Sequence, residues 1–481
     1  MDTSIAVPKA STEVLPELAE FLAPFAPLFR RSTSRHSLER YVTGLLTDLG
    51  RKNCDTIAAL VAGTSTERLQ HLLTDAEWDP LELEAARVRM LSSKSPKGLL
   101  VLNATDLPKQ GKRSVGVDRQ YSGSLGKLAN CQVIVSAEYV ADALTSPAPL
   151  HWPVNARLYL PEEWASDPER RRLAHVPEGS EFQTKPEIAL SLVDRSCEWE
   201  VPFKVVVGDS GYGDNPNFLM GLEERGIPYV CAVESSFGVR IPEEAKAALE
   251  AGPPPYKGKG QPPKPRLALL YTAKEVIESL PEEAWRVVSW RQGTKGELSK
   301  RMVAIRVHRG TGSPRHSTSH SRVSTGPEGW LVAERSSREE RSKDEAGEIK
   351  YYFASLAADT PLKRLGELAH SRWAIEQFYE DAKGECGLGD YQGRRWDGLH
   401  RHLALSMLSY SFLMVESIAS SHSDADATQA SLQQGFFPLK STYELAGNAQ
   451  ASTRVVPRGS GALVHRYRPH QPLPPTQKLT K

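Results

Sequence analysis

Two runs without a polar residue, Leu99-Leu100-Val101-Leu102 and Val205-Val206-Val207, most narrowly limit what this chain can fold into. A strand with one wet face alternates apolar and polar side chains, whereas a continuous apolar run bounded by turn signals fits a strand buried on both faces. Such strands sit inside a sheet covered by helices on each side. Chemistry in open α/β sheets gathers at the carboxyl edge of the strands. Asp209 follows the second run after Gly208 alone.

Around these runs the pattern orders itself. Residues 37–46 and 55–62 read as helices, and Gly63 breaks the second. Thr64 with Glu67 three residues later is a capping-box arrangement opening a further helix through Leu69, Leu72 and Leu73. Helix, tight turn and capped helix describe both a DNA-reading helix-turn-helix and a plain bundle, and in the first reading Arg51, Lys52 and Arg68 reach phosphates. Residues 81–91 continue the helical region, and 92–98 form a linker. Strands are expected at 116–119, 132–139 and 152–160, a helix at 186–197, a helix at 215–225 and a strand at 229–233. Strands first, then helix and strand in alternation, is the order of an RNase H-like α/β fold.

Beyond residue 235 the character changes. The segment 252–265 is rich in Pro and Gly, 286–290 and 301–307 read as strands, and 310–327 is polar and expected to be mobile. Helical signal returns at Thr360-Pro361, a cap followed by proline at the first helical position. The expected partition is an all-α N-terminal DNA-binding or dimerisation region (1–94), a first catalytic segment (95–235), a β-rich insertion (236–355), a second catalytic segment (356–418) and a polar, flexible tail (419–481). Within that tail, Phe436 and Phe437 offer a docking point.

A chain of 481 residues with 40% hydrophobic and 25% charged residues is expected to form two or three soluble domains. Its net charge of +1 does not advertise a nucleic-acid binder, yet basic residues cluster at Arg30-Arg31, Arg170-Arg171-Arg172, Arg394-Arg395 and Arg401. The five cysteines are scattered with no C-x-x-C pair, which points to reduced thiols in the cytoplasm and away from a zinc site. No signal peptide or membrane span is expected.

Between residues 372 and 383 the helical period puts Arg372, Glu376 and Lys383 in one sector, beside an apolar sector of Ala374, Ile375, Phe378, Tyr379 and Ala382. The spacing Arg, three residues, Glu, six residues, Lys resembles the signature around the last acid of insertion-sequence DDE transposases, although Ala369 stands where the family-4 signature has tyrosine. Gly387-Leu388 and the run Gly393-Arg394-Arg395-Trp396-Asp397-Gly398-Leu399-His400-Arg401-His402 resemble the family-701 group, a relative of the family-4 group. The likeness continues upstream in Pro108-Lys109-Gln110-Gly111-Lys112-Arg113, in Arg119-Gln120-Tyr121-Ser122-Gly123, in Tyr159-Leu160-Pro161 and in Gly208-Asp209-Ser210-Gly211-Tyr212-Gly213.

That resemblance implies a transposase that binds terminal inverted repeats and target DNA, as a homodimer in the DNA complex. Its catalytic acids would hold two Mg²⁺ or Mn²⁺ ions, which stabilise the attacking and leaving oxygens of phosphoryl transfer. Asp209 and Glu376 match the second and third acids. The family's first strand ends in two aspartates before Thr; here Asn103 and Ala104 precede Thr105, and Ala104 is expected at the first acid's place. Asp106 would substitute only if the strand stays extended past Ala104. A deliberate Asp-to-Ala replacement is favoured over decay, because the other motifs are intact. Arg372, Lys383, Lys109, Lys112, Arg119, Arg394, Arg395 and Arg401 would meet DNA, and Trp290 resembles the insertion-domain tryptophan that stacks on an unpaired base. The alternative is a non-catalytic DNA-binding descendant of such an enzyme.

Overall fold

A computed structural model describes residues 14–144, 149–252, 258, 268–293, 296–310, 325–336 and 348–434. Its strands, in chain order, are β1 (Gly98–Pro108), β2 (Asp118–Ser122), β3 (Lys127–Ala141), β4 (His151–Tyr159), β5 (Phe203–Gly208), β6 (Tyr229–Val233), β7 (Gly238–Arg240), β8 (Tyr271–Thr272), β9 (Arg286–Gly293), β10 (Gly296–Gly310), β11 (Thr325–Arg335) and β12 (Lys350–Ala354). All join one mixed sheet with the path β2-β3-β1-β5-β6-β12-β11-β10-β7-β8, with β4 on β3 and β9 on β10.

The half that positions the site is β4-β3-β1-β5-β6. In it, β1 runs antiparallel to β3 and parallel to β5, and β5 is parallel to β6. This is the RNase H-like arrangement expected from the sequence. Leu99, Leu100, Val101 and Leu102 are all fully buried, because helices cover both faces. On one side lie Ile188, Ala189, Leu192 and Val193 of the helix Lys185–Glu198, which opens on a Thr184/Glu187 capping box. On the other lie Ala374, Ile375, Phe378, Tyr379 and Ala382 of the helix Trp373–Glu385.

The strands from β7 to β12 extend the same sheet beyond β6, since β12 pairs directly with β6 and β11 with β12. The N-terminal helices Ser32–Leu45, Cys54–Leu60 and Thr66–Thr74 share an apolar core with the long helix Trp396–Gln434. Among the described residues no helix is long and apolar enough to cross a membrane.

Several expected boundaries shift. Ser65, not Thr64, caps the helix after Gly63, accepting from the Arg68 amide at 3.4 Å; Gly63 itself takes φ of 78°. Pro361 stands outside the helix Leu362–Ala369 in extended conformation, so the Thr360 cap does not form. The strand expected at 116–119 lies at Asp118–Ser122. Helix continues through Gln434 where a flexible tail was expected from residue 419, and no glycine or proline interrupts the chain before Gly435. Phe436 and Phe437, and nearly all of the polar stretch 310–327, lie outside the described residues.

Candidate active site

Strand phase decides which side chains can meet. The parallel register pairs Leu99 with Val205, Leu100 with Val206 and Val101 with Val207. Continued by two residues, it sets Asn103 level with Asp209, which remains extended at φ −84° and ψ −176°. Val101 and Val207 pack into the layer of the Glu376 helix, and side chains two apart share a face. Asn103 and Asp209 therefore face that helix. The antiparallel partner of Asn103 is Ser136, whose Oγ lies 2.7 Å from the Tyr379 hydroxyl on the same helix.

Ala104 falls on the other face. It packs against the layer that contains Leu100, Leu102, Val206 and Leu192. Of the two positions expected to carry the family's aspartate pair, Asn103 is therefore the one in phase with Asp209, and Ala104 is not. β1 does stay extended through Asp106, but Asp106 shares Ala104's phase, away from the Glu376 helix. Its carboxylate is already occupied by the Ser122 hydroxyl at 2.5 Å, the Ser124 hydroxyl at 2.6 Å and the Ser124 amide at 3.2 Å. These bonds hold it below the usual carboxylate range in spite of burial.

Glu376 is exposed, and Arg372 donates to it at 3.4 Å across one helical turn. Among the described residues the buried Nε of Arg372 has no partner. Asp209 and Arg372 act on the same two side chains. Burial pushes the Tyr212 and Tyr379 hydroxyls well up, Asp209 adds to both shifts and Arg372 opposes both. The Asp209 main-chain carbonyl accepts from the Tyr212 and Gly213 amides to open the short turn Ser210–Gly213, where a Cβ on Gly213 would come within 2.0 Å of the Ala232 carbonyl of β6. Only glycine lets that turn press against the sheet and aim Asp209 at the edge. The Lys185 ammonium, lowered by burial, lies within electrostatic reach of Cys131, Asp209 and Asp106.

The acids at this edge are Asp209 and Glu376, and the side-chain carbonyl oxygen of Asn103 accepts from the Ala104 amide at 2.8 Å. Among the described residues no three His, Cys, Asp or Glu side chains gather as a metal site. A hard divalent cation uses one or two carboxylates and keeps waters, so Asp209 and Glu376 are the residues that could hold one; two adjacent ions share a carboxylate, and position 103 offers only an amide.

The expected DNA-facing cations divide into three kinds. Some are engaged by main-chain oxygens: Lys383 Nζ donates to the Asp106 carbonyl at 3.0 Å, Lys109 Nζ to the Tyr391 carbonyl at 2.6 Å, and Arg401 to the carbonyls of Ala76 and Trp78 at 2.8 and 3.0 Å. Lys52 is buried, with its amide on Asp390 and its ammonium on the Glu385 carbonyl. Burial lowers Lys109 to about 8. Arg395 is ion-paired with Asp397 and Asp75. The exposed ones are Arg51, Arg68, Lys112, Arg119 and Arg394, with the Arg68 guanidinium donating to the Gly63 carbonyl at 3.4 Å. Trp290 lies flat against the His370 ring, centroids 3.7 Å apart, and His370 is paired with Glu334 at 2.6 Å.

Residues the sequence reading passed over complete the neighbourhood. Tyr379, read as apolar packing, carries the hydroxyl that bonds Ser136. Beneath the same helix the buried Glu138 lies 2.8 Å from His151, and Asp381 is pushed up to about 6 chiefly by burial. A polar pair in facing strands carried no signal, because β3 reads as apolar around it.

The DDE superfamily endonuclease family matches residues 24–297, and the transposase DDE domain family matches residues 186–412. A relative described as a probable transposase for insertion sequence element IS701, from Microchaete diplosiphon, is 28% identical over 237 residues, spanning 49% of this chain and 58% of the relative.

Proposed function

Since this chain belongs to the DDE superfamily endonucleases, we propose that it is an insertion-sequence transposase of the family-701 type that binds the terminal inverted repeats of its own element. The observation that carries this reading is the convergence of Asn103, Asp209 and the Glu376 helix on one face at the carboxyl edge of the central strands. That edge is where a family endonuclease acts on DNA. Asp209 and Glu376 would hold a divalent cation, which when bound polarises the scissile phosphate. Arg372 steadies the Glu376 carboxylate, and the exposed cations Arg394, Arg119 and Lys112 meet the DNA backbone. Pairing two element ends calls for a homodimer in the complex.

As written, the chain binds DNA but is impaired in strand cleavage and transfer. An amide at position 103 carries no charge to bridge two ions, and neither neighbour supplies one. The same observation favours a second reading, a DNA-binding descendant that no longer cuts. Both are tested by metal-dependent cleavage of duplexes taken from the DNA flanking the coding sequence, using the protein as it is and its Asn103→Asp and Ala104→Asp variants. Cleavage restored by Asn103→Asp alone supports the transposase. Binding without cleavage by any of the three supports the non-cutting descendant, and absence of salt-sensitive DNA binding overturns both.

A further inference from the structure

The hairpin of β2 and β3 carries the most exposed apolar residues near the candidate site. Tyr121 and Leu128 pair directly across the ladder on its outward face and are 66% and 60% exposed, while Leu125 at the turn is 46% exposed. Hydrophobic tips of this kind are costly in water unless something covers them. The inward face differs: Ser122 is fully buried and bonds Asp106.

Three features say what covers the tip. The first is charge. From Asp106 to Leu128 the chain has five cations and two acids, although the whole protein is nearly neutral. Of these cations Lys112, Arg113, Arg119 and Lys127 are exposed, and among the described residues none of their side chains has a hydrogen-bond or ion-pair partner. Arg119 shares the outward face with Tyr121, two residues along the strand. Of the two acids, Asp106 is occupied by the two serines and Asp118 accepts from the Arg119 amide at 2.7 Å.

The second is rigidity. Asp106 grips Ser122 and Ser124 with three hydrogen bonds, and Lys383 on the Glu376 helix holds the Asp106 carbonyl. The hairpin is therefore clamped to the end of β1 and through it to the candidate catalytic helix. The third is distance. Asp106, to which Ser122 next to Tyr121 bonds, lies three residues beyond Asn103 on an extended strand, roughly 10 Å away. That is about three base steps along DNA.

Resting on the DNA reading above, we propose that the β2–β3 hairpin is a DNA wedge: Tyr121 and Leu128 lodge against an unstacked base a few steps from the scissile phosphate, while Arg119 and its neighbouring cations hold the flanking backbone. Apolar wedges beside cations are an established physical means of holding a base step open, and an aromatic face accepts any base.

The test compares a fully paired duplex with the same duplex carrying one central unpaired 2-aminopurine, whose fluorescence rises when it unstacks. The full chain is expected to bind the unpaired duplex roughly tenfold more tightly and to raise its fluorescence. In Tyr121→Ser/Leu128→Ser, affinity for the paired duplex stays within about twofold, but the preference and the fluorescence rise disappear. Arg119→Ala weakens binding to both duplexes and keeps the preference. A preference retained in the double-serine variant overturns the wedge. So does a sedimentation shift of the DNA-free protein on that substitution, which would assign the tip to a second copy of the chain. If neither duplex binds, the DNA reading itself has failed and the wedge with it, a result distinct from binding without preference.

Discussion

The Tyr41 hydroxyl lies 2.8 Å from Nδ1 of His402, 361 positions away in the chain, and fastens the N-terminal helices to the long C-terminal helix. His402 Nε2 lies 3.0 Å from the Gly387 carbonyl, an atom that can only accept. Nε2 therefore carries a proton, and because burial lowers the imidazole to about 4 the ring is neutral at pH 7, so that Tyr41 donates to Nδ1. Tyr41→Phe leaves a buried nitrogen unpartnered and is expected to cost about 1–3 kcal/mol in denaturant unfolding.

The same pair sets a pH dependence. Burial lowers His402 to about 4 from 6.5, so the folded state binds fewer protons than the unfolded state between those values. The stability is fully present above about pH 6.5 and is lost as pH falls through about 4. His402→Gln removes that titration and is expected to flatten the acid side of the unfolding profile, read as midpoint against pH. An unchanged slope would assign the acid loss to other buried groups such as His151 and His400.

Asn103→Asp is expected to tighten Mn²⁺ binding seen by calorimetric titration, and a further Asp209→Asn change to weaken it by about tenfold or more. Ala104→Asp, which aims a carboxylate into the layer against the helix Lys185–Glu198, is expected to leave Mn²⁺ binding as it was and to lower stability. Binding gained by Ala104→Asp in place of Asn103→Asp would reverse the phase assignment.

Two arginines nine residues from the Glu376 helix or further should separate by function. Arg394→Ala is expected to weaken DNA binding and reduce the slope of log affinity against log salt by about one. Arg401→Ala removes bonds to the carbonyls of Ala76 and Trp78 and is expected to reduce folding stability by about 1–3 kcal/mol with the salt slope unchanged.

Gly213→Ala puts a methyl group within 2.0 Å of the Ala232 carbonyl, an atom of β6 main chain that has no soft way to yield. The expected loss is about 3 kcal/mol or more, measured as a lowered unfolding midpoint. Retained stability would mean that the turn after Asp209 sits away from the sheet.

The central strands were legible because burial on both faces erases alternation, leaving Leu99 to Leu102 and Val205 to Val207 as unbroken apolar runs. That erasure also hid the detail that matters most. With apolar residues on both sides, nothing in the run reveals which parity faces the Glu376 helix, so Ala104 and Asn103 could not be told apart until the register with β5 and the Ser136 contact to Tyr379 were visible. Asn103 to Pro108 continue β1 although half of them are polar, because pairing with β3 holds them extended. Cation roles were the least legible. Lys383, Lys109 and Arg401 look like phosphate ligands in sequence, and their acceptors are main-chain oxygens distant in the chain.

Those main-chain acceptors have an evolutionary corollary. Lys383, Lys109, Lys52 and Arg401 each hold one or more carbonyl oxygens, as Arg87, buried under β4, holds those of Pro153 and Val154, and a carbonyl is the same whatever residue bears it. Drift at Asp106, Tyr391, Glu385, Ala76 or Val154 leaves these ties intact, whereas drift at the cation breaks them. The contacts that bind the distant parts of this chain together should therefore leave no correlated pairs in a family alignment, only solitary invariant cations that resemble DNA ligands.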